Sequence, residues 1–182
     1  MIRAIGLVEF NSIAKGIESA DAMLKTGQVE VIVSRPICPG KYITLVWGDV
    51  AAVESAVKAG IAKGDVNVVD DFILPNVHPQ VIPACSAGNA VSRVQSLGII
   101  ETFSVAAMIV AADTAVKAGE VDLIEIRLGM GLGGKSFTTL TGDVAAVKSA
   151  VEAGAKTAAD KGLLVHQVVI PSPHKNLIPS IL

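Results

Sequence analysis

The sequence is poor in the residues that most often carry chemistry. Of 182 residues only two are cysteine and three are histidine, and the aromatics are limited to four Phe, one Tyr and one Trp. The cysteines, Cys38 and Cys85, lie far apart with no C-x-x-C spacing. That argues against a disulfide framework and against a metal site built by one chain alone. Basic clusters are missing too: Lys and Arg are scattered singly in a chain of net charge −2 and pI about 5.9. A nucleic-acid partner is not expected on those electrostatics. The longest apolar run near the middle, residues 105–112, is too short to span a bilayer, so no membrane partner is expected. Residues 1–6 lack the length and cleavage pattern of a signal peptide. No nucleophile–base pair, cofactor fingerprint or carboxylate pair stands out, and an enzyme is not expected.

What the chain has is aliphatic surface. It is 51% hydrophobic with a mean hydropathy of +0.58, mostly Ala, Val, Ile and Leu. That surface must be buried, and subunit interfaces are the natural place.

The chain is also written twice. Gly6-Leu7-Val8-Glu9 returns as Gly98-Ile99-Ile100-Glu101, and Ser12, Asp21, Lys25, Gly27, Val29 and Arg35 return as Ser104, Asp113, Lys117, Gly119, Val121 and Arg127, always 92 residues on. Gly48-Asp49-Val50-Ala51-Ala52-Val53 reappears 94 residues on, beginning at Gly142, so the second copy's central loop is two residues longer. Both copies end alike, Leu74-Pro75-Asn76-Val77-His78 against Ile170-Pro171-Ser172-Pro173-His174. Two homologous domains in tandem follow, residues 1–82 and 96–182, joined by a linker over 83–95 rich in small and turn residues.

Within each copy the periodicity switches in a fixed order. Residues 2–10 read as a strand too apolar for a one-sided sheet. Ser12 suits an N-cap for a helix through Lys25, with Ile13, Ile17, Ala20 and Leu24 on one apolar face and Gly27 closing it. Strands at 29–34 and 42–47, a helix from Asp49 to about Gly60–Gly64 and a last strand at 66–74 complete the copy. The second copy repeats the series, giving βαββαβ twice. This is an α/β (α+β) chain of two ferredoxin-like units, with helices on one side of an antiparallel-rich sheet.

Between the second and third strands of the first copy lies Ser34-Arg35-Pro36-Ile37-Cys38-Pro39-Gly40-Lys41, a short stiff loop presenting one sulfur. A lone cysteine is by itself most simply a small buried hydrophobe. The second copy's loop, Gly129-Met130-Gly131-Leu132-Gly133-Gly134-Lys135-Ser136, satisfies the spacing of a phosphate-binding loop. The helix that should follow such a loop is replaced by the β-branched and aromatic residues 136–141, so nucleotide binding is not expected. His78 and His174 each sit in a Pro-x-x-His turn after a terminal strand and read as turn or interface residues. Glu9 and Glu101 read as structural hydrogen-bonding groups, Ser104 as a cap, and His166 as a half-buried strand residue.

The repeated Gly-x-x-Glu-x-x-Ser, Ala-Asp-x-x-x-Lys and Gly-Asp-Val-Ala-Ala-Val elements, with the closing Pro-x-x-His, resemble bacterial microcompartment shell proteins over essentially the whole chain. Two copies resemble the tandem class, and Cys38 in the first loop resembles the iron–sulfur type of propanediol-utilisation compartments. The resemblance implies a homotrimer forming a pseudohexameric tile, placed in the shell among other shell proteins. It implies a 4Fe-4S cluster at the central pore, held by Cys38 of three chains with an external fourth ligand, and electron exchange with encapsulated redox enzymes. One thiolate per chain is too few for a cluster, and three chains supply three. Pro36, Ile37, Pro39 and Gly40 of the first loop would line the pore. Gly129, Met130, Gly131, Leu132, Gly133 and Gly134 of the second would surround the same aperture. Lys25 and Lys117 match the family's tile-edge lysine, and His78 and His174 its edge turn. Where the family places Arg between the terminal prolines, this chain has Asn76 and Ser172. Two alternatives stay open: a metabolite pore without a cluster, and cluster delivery to enzymes inside. Cys85 reads as structural.

Overall fold

The computed structural model describes residues 4–86 and 88–181. By its contacts the chain divides into two compact units, one of residues through Val77 plus Met130–Gly134, the other of the remainder.

The first unit runs β1 (Ala4–Phe10), α1 (Ile13–Thr26), β2 (Glu30–Ile37), β3 (Lys41–Gly48), α2 (Val50–Gly64), a single 3-10 turn (Asp65–Asn67) and β4 (Val68–Pro75). Its sheet has the order β2-β3-β1-β4, antiparallel throughout, with Leu7 opposite both Leu45 and Phe72. This is the ferredoxin-like arrangement expected from the duplicated pattern. All seven residues of β1 are buried, as its unbroken apolar run requires. Ala4, Val8 and Phe10 pack with Met23 of α1 and Val53, Ala56 and Val57 of α2. A Cβ on Gly6 would lie 2.5 Å from Val57 Cγ2 and 2.7 Å from Val53 Cγ1, so glycine lets α2 lie directly on the sheet.

The second unit contains α3 (Val81–Ser86), a short helix where an irregular linker is expected, then β5 (Ser96–Thr102), α4 (Val105–Ala118), β6 (Val121–Arg127), β7 (Ser136–Gly142), α5 (Val144–Asp160) and β8 (Leu164–Ile170). Its sheet order, β6-β7-β5-β8, repeats the first. Ser12 and Ser104 cap their helices as expected, accepting from Lys15 N at 3.4 Å and Ala107 N at 3.1 Å.

Gly27 closes α1 as expected, with a φ of −110°; a Cβ there would lie 2.6 Å from the Ala52 carbonyl oxygen, so the close approach of α2 selects glycine. Two local expectations need correction. His166 is exposed, not half-buried. Of the expected α1 face only Ala20 packs inward, beside Gly16, Ser19 and Met23, and the buried face leaves out Ile13, Ile17 and Leu24. Those three are 40%, 54% and 42% exposed, whereas their second-copy equivalents Val105, Ile109 and Val116 are 0%, 0% and 6% exposed.

Glu18 ties α1 to α2, accepting from Lys15 at 2.7 Å and Lys63 at 2.8 Å. Those hydrogen bonds lower its carboxyl from the ordinary 4.5 to about 2. The tie therefore operates above pH 4.5 and fades as pH falls toward 2. The Glu18 carboxyl titration, followed by NMR, is expected near 2 and to move toward 4.5 in Lys63→Ala or in high salt. Gly6→Val is expected to cost about 1–3 kcal/mol in chemical denaturation, because two valines of α2 must move.

Candidate functional site: the two hairpin loops

The β2–β3 connection is a three-residue turn, Cys38-Pro39-Gly40, that places one thiol near the hairpin tip. Gly40 has φ +72°, the left-handed conformation that a tight reversal needs there. Pro36 lies within β2, which continues to Ile37 rather than stopping near Ser34. An edge strand tolerates the missing donor. Ile37 is buried, Cys38 half-buried, and Pro36, Pro39 and Gly40 exposed. Cys38 thus stands as a free thiol between a buried anchor and an exposed turn.

The stem is held by polar contacts. Ser34 Oγ lies 3.0 Å from Tyr42 Oη and 3.3 Å from Thr44 Oγ1. Lys41, directly after the turn, donates to Glu9 Oε1 at 2.8 Å. Glu9 is fully buried on β1 and Lys41 is mostly buried, so this ion pair fastens the hairpin base to the central strand. The second copy reproduces the device: Lys135 Nζ lies 2.6 Å from Glu101 Oε1, with both groups partly exposed. Glu9 and Glu101 are structural, as expected. Their lysine partners were not anticipated, because Glu9 and Lys41 are 32 residues apart. The Gly-Lys common to both loops was the available signal.

The second loop is built of glycine: Gly129, Gly131, Gly133 and Gly134 all have positive φ. Gly129 and Gly134 are buried, Leu132 half-buried, and Met130, Gly131 and Gly133 exposed. Residues 130–134 belong to the first unit, where a Cβ on Gly134 would lie 2.8 Å from Pro39 Cδ. The tips of the two loops are therefore brought together. Ser136–Gly142 is a strand and Lys135 is paired to Glu101, so the phosphate-loop spacing has no helix N-terminus to serve.

The other expected residues lie elsewhere. Lys25 and Lys117 end α1 and α4, each bonded at 2.6 Å to the aspartate one turn earlier, Asp21 and Asp113. His78 is half-buried, and its Nδ1 accepts from Gln80 N at 3.4 Å; exposed His174 repeats this with Asn176 N at 3.3 Å. Cys85 is buried on α3. Among the described residues no group of three or more His, Cys, Asp or Glu could hold a metal ion. One chain thus offers a single thiolate from Cys38. That is the right donor for an iron–sulfur cluster and too few of them, so such a group fits only where several chains meet.

Two copies of one βαββαβ unit, each with a short hairpin loop, define a tandem shell-domain protein. The BMC domain model matches residues 4–77 and again 96–173, and the chain belongs to that family of bacterial microcompartment shell proteins. The particular likeness is to the bacterial microcompartment shell protein PduT of Citrobacter freundii, 47% identical over 177 residues, or 97% of this chain and 96% of that one. A solved microcompartment protein from Desulfitobacterium hafniense DCB superposes with a TM-score of 0.90 at 61% identity, covering 98% of this chain and 99% of that one. EutM of Salmonella typhimurium is 44% identical over 84 residues, 46% of this chain and 84% of that protein. The chain is therefore a structural component of a microcompartment shell, and no helix among its described residues is long and apolar enough to cross a membrane.

The two lysines make a paired prediction. Lys41→Met takes the cation away from a fully buried carboxylate and is expected to cost about 3 kcal/mol or more in unfolding free energy. Lys135→Met removes a partly exposed pair and is expected to cost under about 1 kcal/mol. Equal costs in chemical denaturation would contradict the assignment of Glu9 as the anchored member.

Proposed function

We propose that three copies of this chain form a pseudohexameric shell tile that carries a 4Fe-4S cluster on its three-fold axis through Cys38 of each chain. The observation that carries this reading is the unequal burial of equivalent helix faces. The α4 face of Val105, Ile109 and Val116 is covered within the chain, whereas the equivalent α1 face of Ile13, Ile17 and Leu24 is open. A cyclic assembly covers the open face with another copy and leaves no apolar stripe in water. Three two-domain chains then make six like positions in a ring. The likeness to PduT supports a place in a propanediol-utilising compartment, alongside other shell proteins.

When bound, such a cluster supplies one-electron transfer. The chain's own residues hold the thiolates in place. Ile37 anchors the turn from below, Gly40 closes it, and the Glu9–Lys41 pair fixes its base. The role that follows is passage of electrons across the shell to redox enzymes inside. Lys25, Lys117, His78 and His174 are assigned to tile-edge contacts.

Ile17→Asp is expected to shift the assembly from trimer to monomer at micromolar concentration by light scattering, with its circular dichroism unchanged. Protein purified without oxygen is expected to carry about four irons per three chains and a paramagnetic signal in one of the oxidised or dithionite-reduced states. Cys38→Ser should lose both while remaining trimeric. An iron-free trimer that also resists reconstitution would leave a thiol-bearing metabolite pore. Release of iron to an apo acceptor enzyme would favour cluster delivery.

A further inference from the structure

The two copies continue to match beyond their last strands. His78, Gln80, Val81, Ile82 and Pro83 correspond to His174, Asn176, Leu177, Ile178 and Pro179, each 96 residues on. Both segments make the same local turn: Val81 N donates to His78 O at 3.0 Å, and Leu177 N to His174 O at 2.8 Å.

Within the second unit the first of these segments is fully engaged. It lies along the outer edge of β6 and the end of α4. His78 N donates to Asp113 Oδ1 at 2.7 Å, Gln80 Nε2 donates to Asp122 Oδ1 at 2.9 Å, and Leu123 N donates to Gln80 Oε1 at 2.8 Å. Asn89 adds a bond to Leu123 O at 2.9 Å. Val81 and Leu123 are both fully buried.

The equivalent groups of the first copy are Asp21, Glu30 and Val31, and all are open. The Asp21 carboxylate is 60% exposed where that of Asp113 is 3% exposed, although each pairs with its own lysine at 2.6 Å. Val31 is among the most exposed aliphatic residues, and among the described residues nothing pairs with the outer edge of β2. The second segment is anchored at its far end, where Ile178 packs against the cluster of Val94, Leu97 and Ile124, but its residues 174–177 are unengaged: Leu177 is exposed where Val81 is buried, and Asn176 is exposed. An empty surface and an idle segment, equivalent to a surface and segment already joined, are complementary.

The side chains match in length as well. The engaged pair couples a long amide, Gln80, to a short carboxylate, Asp122. The open pair offers a short amide, Asn176, and a long carboxylate, Glu30. One methylene has moved across the contact and the total reach is kept.

We propose that residues 174–177 clasp the β2 edge of a neighbouring copy of this chain, with the Asn176 amide donating to the Glu30 carboxylate, His174 N donating to Asp21, and Leu177 covering Val31. The clasp rests on the trimeric reading and supplies it with a polar lock separate from the apolar α1 face. It also caps an exposed sheet edge that would otherwise recruit other strands.

A double-mutant cycle on trimer dissociation, read by light scattering across a dilution series, tests it. Asn176→Ala and Glu30→Ala should each raise the concentration at which half the trimer dissociates by about tenfold. The double variant should be no worse than either alone. Asn176→Gln combined with Glu30→Asp, which restores the lengths used at β6, should dissociate like the unaltered chain. Hydrogen exchange over residues 30–32 should be slow in the trimer and faster in Asn176→Ala. Additive or absent effects in a trimeric protein would overturn the clasp and leave the trimer standing. A monomeric unaltered chain would overturn both.

Discussion

Removal of aliphatic surface from water holds each copy together, and the central strand shows how. β1 is buried along its whole length, and α2 lies close over it because Gly6 offers no side chain. Everything that could work as a site is arranged around that strand. β3 is held against it by seven paired residues, from Ala4 opposite Gly48 to Phe10 opposite Tyr42. The buried Glu9 fastens Lys41 at the foot of the hairpin that carries Cys38. A thiol on so short a turn is positioned by strand pairing below it rather than by its own contacts.

Duplication gives the chain an internal control that single-copy relatives such as EutM do not provide. The same residue type at the same position can be compared in two environments. Ile13 and Val105, Ile17 and Ile109, Asp21 and Asp113, and Val31 and Leu123 differ in burial far more than in chemistry. The first member of each pair is open and the second covered. The proposed assembly would give this asymmetry a simple cause, because surface left open in one chain would be covered by another molecule.

The loops divide their labour in a comparable way. The first is a three-residue turn with one proline, preceded by another in β2, and is tied at its base by an ion pair with a fully buried member. The second, residues 128–135, is longer, rich in glycine at positive φ, and tied by a partly exposed pair. Under the proposed assembly, rigidity would suit a thiolate that must meet others at fixed separation, and small residues would suit the wall of an aperture.

The sequence by itself determined the duplication, the βαββαβ order, the serine caps and the position of Cys38 at a strand–turn–strand. Each rests on local chemistry or on repetition within the chain. It misjudged which face of α1 turns inward. Ile13, Ile17, Ala20 and Leu24 form an apolar stripe by spacing, yet of these only Ala20 packs inward, beside Gly16, Ser19 and Met23, whose mostly small side chains let α1 approach its unit closely. A helix that meets apolar surface on two sides carries two stripes, and periodicity alone cannot rank them. Only the tertiary structure paired Glu9 with Lys41 and showed Gln80 on the edge of β6 with Asn176 left idle. Those contacts join residues more than thirty positions apart, where chain folding rather than local preference decides which groups meet.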